Sequence, residues 1–333
     1  MYLVLFQRTL AVSQGIHSLA ECWVADSNTI LLIIFIIKSK KIVIQNSTET
    51  PTNNIQTAWH GRLNLAYANR SGATQIIHNQ MQAPLKVQRP FYPEGKDVCH
   101  SVILHTAGGV VGGDRLSGHF HLQPNAKALI TTAAAGKIYR SSGLESQQNI
   151  DIQLDTGANL EWLPQETIVF DGAIYRQNLR VELAPTARIL LWEITRFGRS
   201  ARGENFLSGE WRSHTEVWQE NSPLWIDRQL LKGGEKMLES PHGLAGKPVV
   251  ATLAWVGEPV TAEFVEKVRD LPSEATIYPG NSTVGVTRIP NGLLCRYRGT
   301  STTAARDWFV NIWQLLRLSF SQRPCCLPRV WIK

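Results

Sequence analysis

The sequence predicts a mainly β fold, a stacked, helical arrangement of β-strands with about two packing α-helices. Three observations point there. Apolar residues alternate with period two along several short runs. One turn-containing unit recurs with a spacing near 30 residues. Two amphipathic helical patterns lie near the C-terminus, and no regular βαβ alternation precedes them.

The first 54 residues differ from the rest. An apolar run of eight residues, Ile30 to Ile37, is followed by Lys38, Lys40 and Lys41. A bilayer span needs about 20 apolar residues, and a secretory signal places its positive charge before the apolar stretch, not after it. The polar stretch 45–54, QNSTETPTNN, reads as a linker. Residues 1–54 are therefore expected to be disordered or an upstream extension, with the working protein beginning near residue 43; a weak membrane-surface anchor is the other reading. Residues 55–333 are expected to form the β-rich domain.

Strand patterns follow in order. Leu116, Gly118, Phe120 and Leu122 alternate, as do Ile150, Ile152 and Leu154, then Leu179, Val181 and Leu183, then Ala187, Ile189 and Leu191. Such alternation marks half-buried strands. The segments LQPNAKALI (122–130), LDTGANLEW (154–162) and LAPTARILL (183–191) share one plan. Each closes a strand at leucine, turns, places an alanine and opens a new strand. A unit that cannot bury its own face stacks on its neighbours, which predicts a layered β structure. The stretch 232–248 is rich in turn formers and reads as a loop. Thr261 is placed to cap a helix whose face is Phe264, Val265, Val268 and Leu271, and Thr303 to cap one carrying Trp308, Ile312, Leu315 and Leu316.

Composition excludes some functions. The chain has 333 residues, a net charge of +7, 43% hydrophobic and 18% charged residues. The positive balance favours acidic partners. There is no zinc-finger spacing, RNP-like aromatic motif or dense basic helix, so no nucleic-acid role is expected. The five cysteines, Cys22, Cys99, Cys295, Cys325 and Cys326, form no CxxC and no secreted framework. Reduced, structural thiols in a cytoplasmic protein are the reading.

HTAGGVVGGDRL (105–116) resembles a phosphate cradle at first sight. A P-loop ends in Lys and Ser or Thr and leads into a helix. Here Asp114 stands where a cation is wanted, and RLSGHFHL alternates as a strand. The glycines also lack the dinucleotide-binding spacing. They are expected to permit a tight turn or close backbone approach instead.

GGVVGGDRL, LITTAAAGKIYRS, LEWLPQETIVFDGA, GRSARGENF and the closing PRVW follow one another in this order. Together they closely resemble the urease accessory protein UreD family, called UreH in some organisms, from about Trp59 to the end. The resemblance implies a β-rich helical stack of strands and no enzymatic activity. It implies a cytoplasmic scaffold for nickel insertion into urease, which binds UreF, through it the GTPase UreG, and then the urease apoprotein. Nickel is expected to pass through an interior channel, so Ni²⁺ is bound transiently and no cofactor tightly. No membrane association is expected.

A carrier must bind nickel and release it, and isolated hydrated carboxylates suit that better than a closed His/Cys cage. The acidic groups in the family-like motifs are Asp114, Glu161, Glu166 and Asp171. A carboxylate in an apolar stretch is costly unless paired, hydrogen-bonded or hydrated, so these are the candidate nickel path. Each has a plainer reading as well: Asp114 as cap of the glycine turn, Glu166 as acceptor of backbone N–H groups near Pro164, Asp171 in a two-residue hairpin turn, Glu161 on an exposed strand position or in a salt bridge. Lys137, Arg140, Arg199 and Arg202 are the candidate partner interface. His119 and His121 share a strand face and could chelate; His100 and His105 fall on opposite faces. Two rivals remain, a scaffold that never touches metal and a β-solenoid-like hydrolase using Asp114 and Glu166.

Overall fold

The computed structural model describes residues 25–26, 29–30, 58–273 and 280–331. The chain divides into two units, Met1–Ile55 and Gln56–Lys333. In the first, β1 (Ala25–Asp26) pairs antiparallel with β2 (Thr29–Ile30). Residues 31–37 of the apolar run, and the polar stretch 45–54, lie outside the described residues.

The second unit is two sheets with a helical layer. The seven-stranded sheet contains β3 (His60–Arg70), β4 (Ala73–Gln82), β7 (Arg115–Leu122), β10 (Ser146–Leu154), β13 (Ile174–Leu183), β15 (Glu210–Gln219) and β16 (Ser222–Lys232), in the order β16-β15-β13-β10-β7-β3-β4. The ten-stranded sheet has a main path built from β5 (Leu85–Val87), β6 (Val98–His105), β8 (Lys127–Thr132), β11 (Asn159–Trp162), β14 (Arg188–Phe197), β17 (Val249–Val256), β18 (Thr283–Ile289) and β19 (Gly292–Gly299), in the order β18-β19-β17-β14-β11-β8-β6-β5. The short strands β9 (Gly136–Ile138) and β12 (Thr167–Val169) complete it beside the end of β14.

The repeat is the backbone of this architecture. β7, β10 and β13 run parallel, with Leu122, Leu154 and Leu183 in direct register. Each chain then turns through Ala126, Ala158 or Ala187, all without exposed surface, into β8, β11 or β14 of the facing sheet. The chain thus coils, one strand per sheet per turn, as the spacing of the units predicts. The alternating residues point between the sheets: Leu116, Phe120, Leu122, Ile150, Ile152 and Leu154 all belong to the inter-sheet core.

β14 is largely buried on both faces, and its first half, Ile189 to Trp192, reads as a continuous apolar run for that reason. Ile189, Leu191 and Phe197 face the first sheet, whereas Leu190, Trp192 and Ile194 face the helices. The helical layer contains α2 (Ala262–Arg269) and α3 (Thr302–Ser321), and a short α1 (Glu235–Glu239) interrupts the expected 232–248 loop. Thr261 caps α2 as expected, accepting from Phe264 N–H at 3.2 Å. α3 is capped by Ser301, not Thr303, through a 3.1 Å bond from Ala304 N–H; the helix begins two residues earlier than its apolar stripe suggests.

Candidate functional site

The glycine-rich stretch lies across the turns of the stack. Val110 bridges Ile138 of β9, which also brings Gly109 against that strand. A Cβ on Gly109 would stand 2.7 Å from the Lys137 carbonyl and closer still to the Tyr139 ring, and one on Gly112 would meet Ser141 and Leu144. These glycines serve close approach between successive coils, as the sequence suggests.

Between the sheets the packing opens into a cavity of about 600 Å³. Much of its wall is apolar, including Leu63, Phe120, Ile150 and Trp162. Toward β13, β15 and β16 the inward positions become polar: Gln177, Ser213, Thr215 and Asp227, faced by Glu193 and Thr252. A cavity of this size with several convergent polar groups can hold water, unlike a purely apolar void. The lining also reaches Gly108, Gly109 and the exposed Lys137, so one end meets the surface at the glycine turn.

Glu193 is the chemical centre of that polar end. It shares the inward face of β14 with Leu191, and its side chain is open to the cavity though enclosed by protein. Ser213 Oγ donates to its Oε2 at 2.9 Å and Thr195 Oγ1 to its Oε1 at 3.1 Å. Burial pushes its pKa up to about 7; the two hydroxyls and Arg296 oppose this, and the Asp227 charge adds to it. Asp227 is itself held by a bidentate pair with Arg296, at 2.7 and 2.9 Å. A carboxyl poised near neutrality can exchange a proton for a cation. Sequence reasoning overlooked Glu193, although one acid in ILLWEITRF was the signal.

The four carboxylates expected to form the path are not brought together, and none of them lines the cavity. Asp114 is fully buried and accepts from Trp59 N–H at 2.8 Å and Val111 N–H at 2.9 Å, so it caps the glycine turn. Glu161 is buried rather than exposed and points to the helices, opposite Leu160 and Trp162. There it accepts from Trp313 Nε1 at 2.7 Å and Arg317 Nη2 at 2.6 Å, the salt bridge of its plainer reading. Glu166 is paired with Arg306 of α3, not with backbone N–H groups near Pro164. Asp171 sits in a turn that passes from one sheet to the other, not in a hairpin: β12 and β13 belong to different sheets. Its Oδ1 accepts from Leu207 and Ser208 N–H at 2.9 and 2.8 Å.

Arg140 pairs with Asp171 at 2.6 Å, and Arg199 pairs with Glu204 while lying over the Phe170 ring at 4.5 Å. Lys137, Arg140 and Arg202 are exposed along with Tyr139, Leu144 and Leu207. Of the histidines, His121 bonds Asp155 at 2.8 Å, while His119 is exposed beside it. Cys99, Cys295, Cys325 and Cys326 are free thiols; Cys22 lies outside the described residues.

The enclosure of Asp114 removes the hydrolase, which needs two carboxylates in an open cleft. What the architecture defines is a β-solenoid-like scaffold around a partly polar interior cavity. The family model for the UreD urease accessory protein matches residues 60–332. The chain belongs to the UreD family, and is a urease maturation factor rather than an enzyme. It is 66% identical to the urease accessory protein UreD of Nostoc punctiforme over 279 residues, covering 84% of this chain and 98% of that one. It is 57% identical to that of Acaryochloris marina (82% and 95% covered) and 40% identical to that of Synechocystis sp. (80% and 97% covered). Among the described residues no helix is long and apolar enough to cross a membrane.

Proposed function

We propose that this protein is a cytoplasmic nickel-delivery scaffold. It binds UreF, and through it UreG, docks on the urease apoprotein and passes Ni²⁺ through the inter-sheet cavity. The observation that carries this reading is Glu193, a carboxyl at about 7 on the wall of a polar-ended cavity, inside a member of the UreD family. Deprotonated, it attracts a hydrated divalent ion; reprotonated, it lets the ion go. The neutral oxygens of Gln177, Ser213 and Thr215 offer weak ligands that replace water without trapping the cargo. The carboxylates Asp114, Glu161, Glu166 and Asp171 then act by holding the walls in place. The basic edge at Lys137, Arg140, Arg199 and Arg202, beside the surface end of the cavity, is where an acidic partner docks.

The test is co-expression of the full chain with UreF, UreG and apo-urease, comparing wild type with Glu193→Gln. Nickel per urease active site and recovery of the complex are both measured. We expect the variant to assemble normally and to lower urease nickel content several-fold. Normal nickel content with an intact complex would favour a scaffold that never touches metal.

A further inference from the structure

Three metal-ligating side chains meet on the helix side of the second sheet, away from the cavity. Cys99 and Ile103 of β6 face the inter-sheet core, so His100 faces the other way. Its backbone is fixed by two 2.9 Å bonds with Phe91, and this places Glu94 over the imidazole, with Nε2 to Oε1 at 2.7 Å. The third group arrives from the far end of the chain. The loop after α3 is held by Gln314, which accepts from Cys325 N–H at 2.7 Å, and by Arg317, which donates to the Pro324 carbonyl at 3.0 Å. Cys326 is thereby brought in, and ligand atoms of Glu94, His100 and Cys326 all lie within 4.8 Å of one another.

The surroundings hold the ligand side chains in place. Arg317 bonds Glu94 at 2.5 and 2.9 Å and Glu161 at 2.6 and 2.7 Å. These three side chains are at most 10% exposed. Arg323, about one-third exposed, also pairs with Glu94 at 3.5 Å, so the two carboxylates are balanced by Arg317 inside the cluster and Arg323 at its rim. At the rim, Asp97 is shared by Arg323 at 2.9 Å and Lys127 at 3.7 Å. Arg317 also orients Glu94 from behind, as second-shell partners do in metal sites. Tetrahedral zinc, with Zn–S of about 2.3 Å and Zn–N or Zn–O of about 2.0 Å, sets its donors roughly 3.3–3.6 Å apart. The 2.7 Å His100–Glu94 contact has to open to about 3.3 Å, and the Cys326 thiol lies within 4.8 Å of both partners.

We propose that Glu94, His100 and Cys326 form a site for a zinc-class divalent ion, completed by water, that ties the loop after α3 to β6. Imidazole, thiolate and carboxylate with one open position is a donor set such ions accept. Binding forms three protein–metal bonds, releases the Cys326 thiol proton to solvent, and takes the Nε2 lone pair of neutral His100, whose proton then resides on Nδ1. The site is separate from the nickel path and does not depend on it.

Untagged full-length protein is titrated with Co²⁺, followed by the thiolate-to-cobalt absorption in the near ultraviolet, and Zn²⁺ is then used to displace the cobalt. One equivalent with a single-thiolate band is expected. Cys326→Ser should abolish the band, whereas Cys325→Ser and Glu193→Gln keep it. His100→Gln should weaken binding by more than the roughly 10- to 100-fold typical of second-shell changes. No band and no retained ion in the wild type would overturn the proposal. Equal loss in Cys325→Ser would overturn it too. Circular dichroism of each variant separates lost binding from lost fold.

Discussion

Both oxygens of Asp114 are committed to backbone N–H groups and the side chain is fully buried, which makes its role one of framework. Asp114→Ala leaves the Trp59 and Val111 donors without partners. An unsatisfied buried polar group costs about 1–3 kcal/mol, so chemical denaturation should show a loss of about 2–4 kcal/mol. A variant as stable as wild type would contradict that role. Glu193 makes the opposite kind of prediction. Its pKa rises from 4.5 to about 7 on folding, through burial first. Between those values the folded state holds the extra proton, so stability falls as pH rises from about 4.5 to about 7. At about 1.4 kcal/mol per pKa unit the span is at most about 3 kcal/mol. Glu193→Gln should flatten the dependence of denaturation midpoint on pH over that window; an unchanged slope would assign the titration elsewhere.

Among the elements, α3 depends on one buried arginine. Arg317 joins the helix to Glu161 on β11 and Glu94 before β6, and its guanidinium lies over the Trp313 ring at 5.0 Å. Burial works against charge on Glu94, yet bonds from His100 and Arg317 hold its pKa down to about 2. Removing one partner of a buried pair typically costs about 3–5 kcal/mol, because the other charge stays buried. Arg317→Ala should lose about that much in denaturant unfolding, and Arg317→Ala with Glu161→Gln should lose less than the sum of the singles. Additive losses would mean that the two residues act independently.

For the molecule as a whole, the leucine ladder and the basic edge do separate work. Leu122, Leu154 and Leu183 stack in register at the ends of β7, β10 and β13, and each is at most 3% exposed. Leu154→Ala opens a void in the middle of the stack, where such truncations cost about 2–5 kcal/mol. Lys137 and Arg202 carry no such burden, being exposed. Lys137→Glu combined with Arg202→Glu should leave the melting temperature unchanged but weaken co-purification with accessory partners, most strongly at low salt. Undiminished recovery at low salt would move the partner surface elsewhere.

The coil of strands was legible in the sequence because a period-two alternation and a recurrent Leu–turn–Ala unit are local properties, and stacking follows from each unit's bare face. The roles of the glycines and of Thr261 were legible for the same reason. Chain pattern also led to the four carboxylates of the motifs, but not to their partners. Arg306 and Arg317, which hold Glu166 and Glu161, lie 140 and 156 residues away. Likewise Glu94, His100 and Cys326 share no local pattern, and Glu193 is one acid in an apolar strand. Local periodicity decided which face each strand buries. Only the tertiary structure decided which charges are neutralised and which line a partly polar cavity, because a side chain's electrostatics depends on groups that folding brings close.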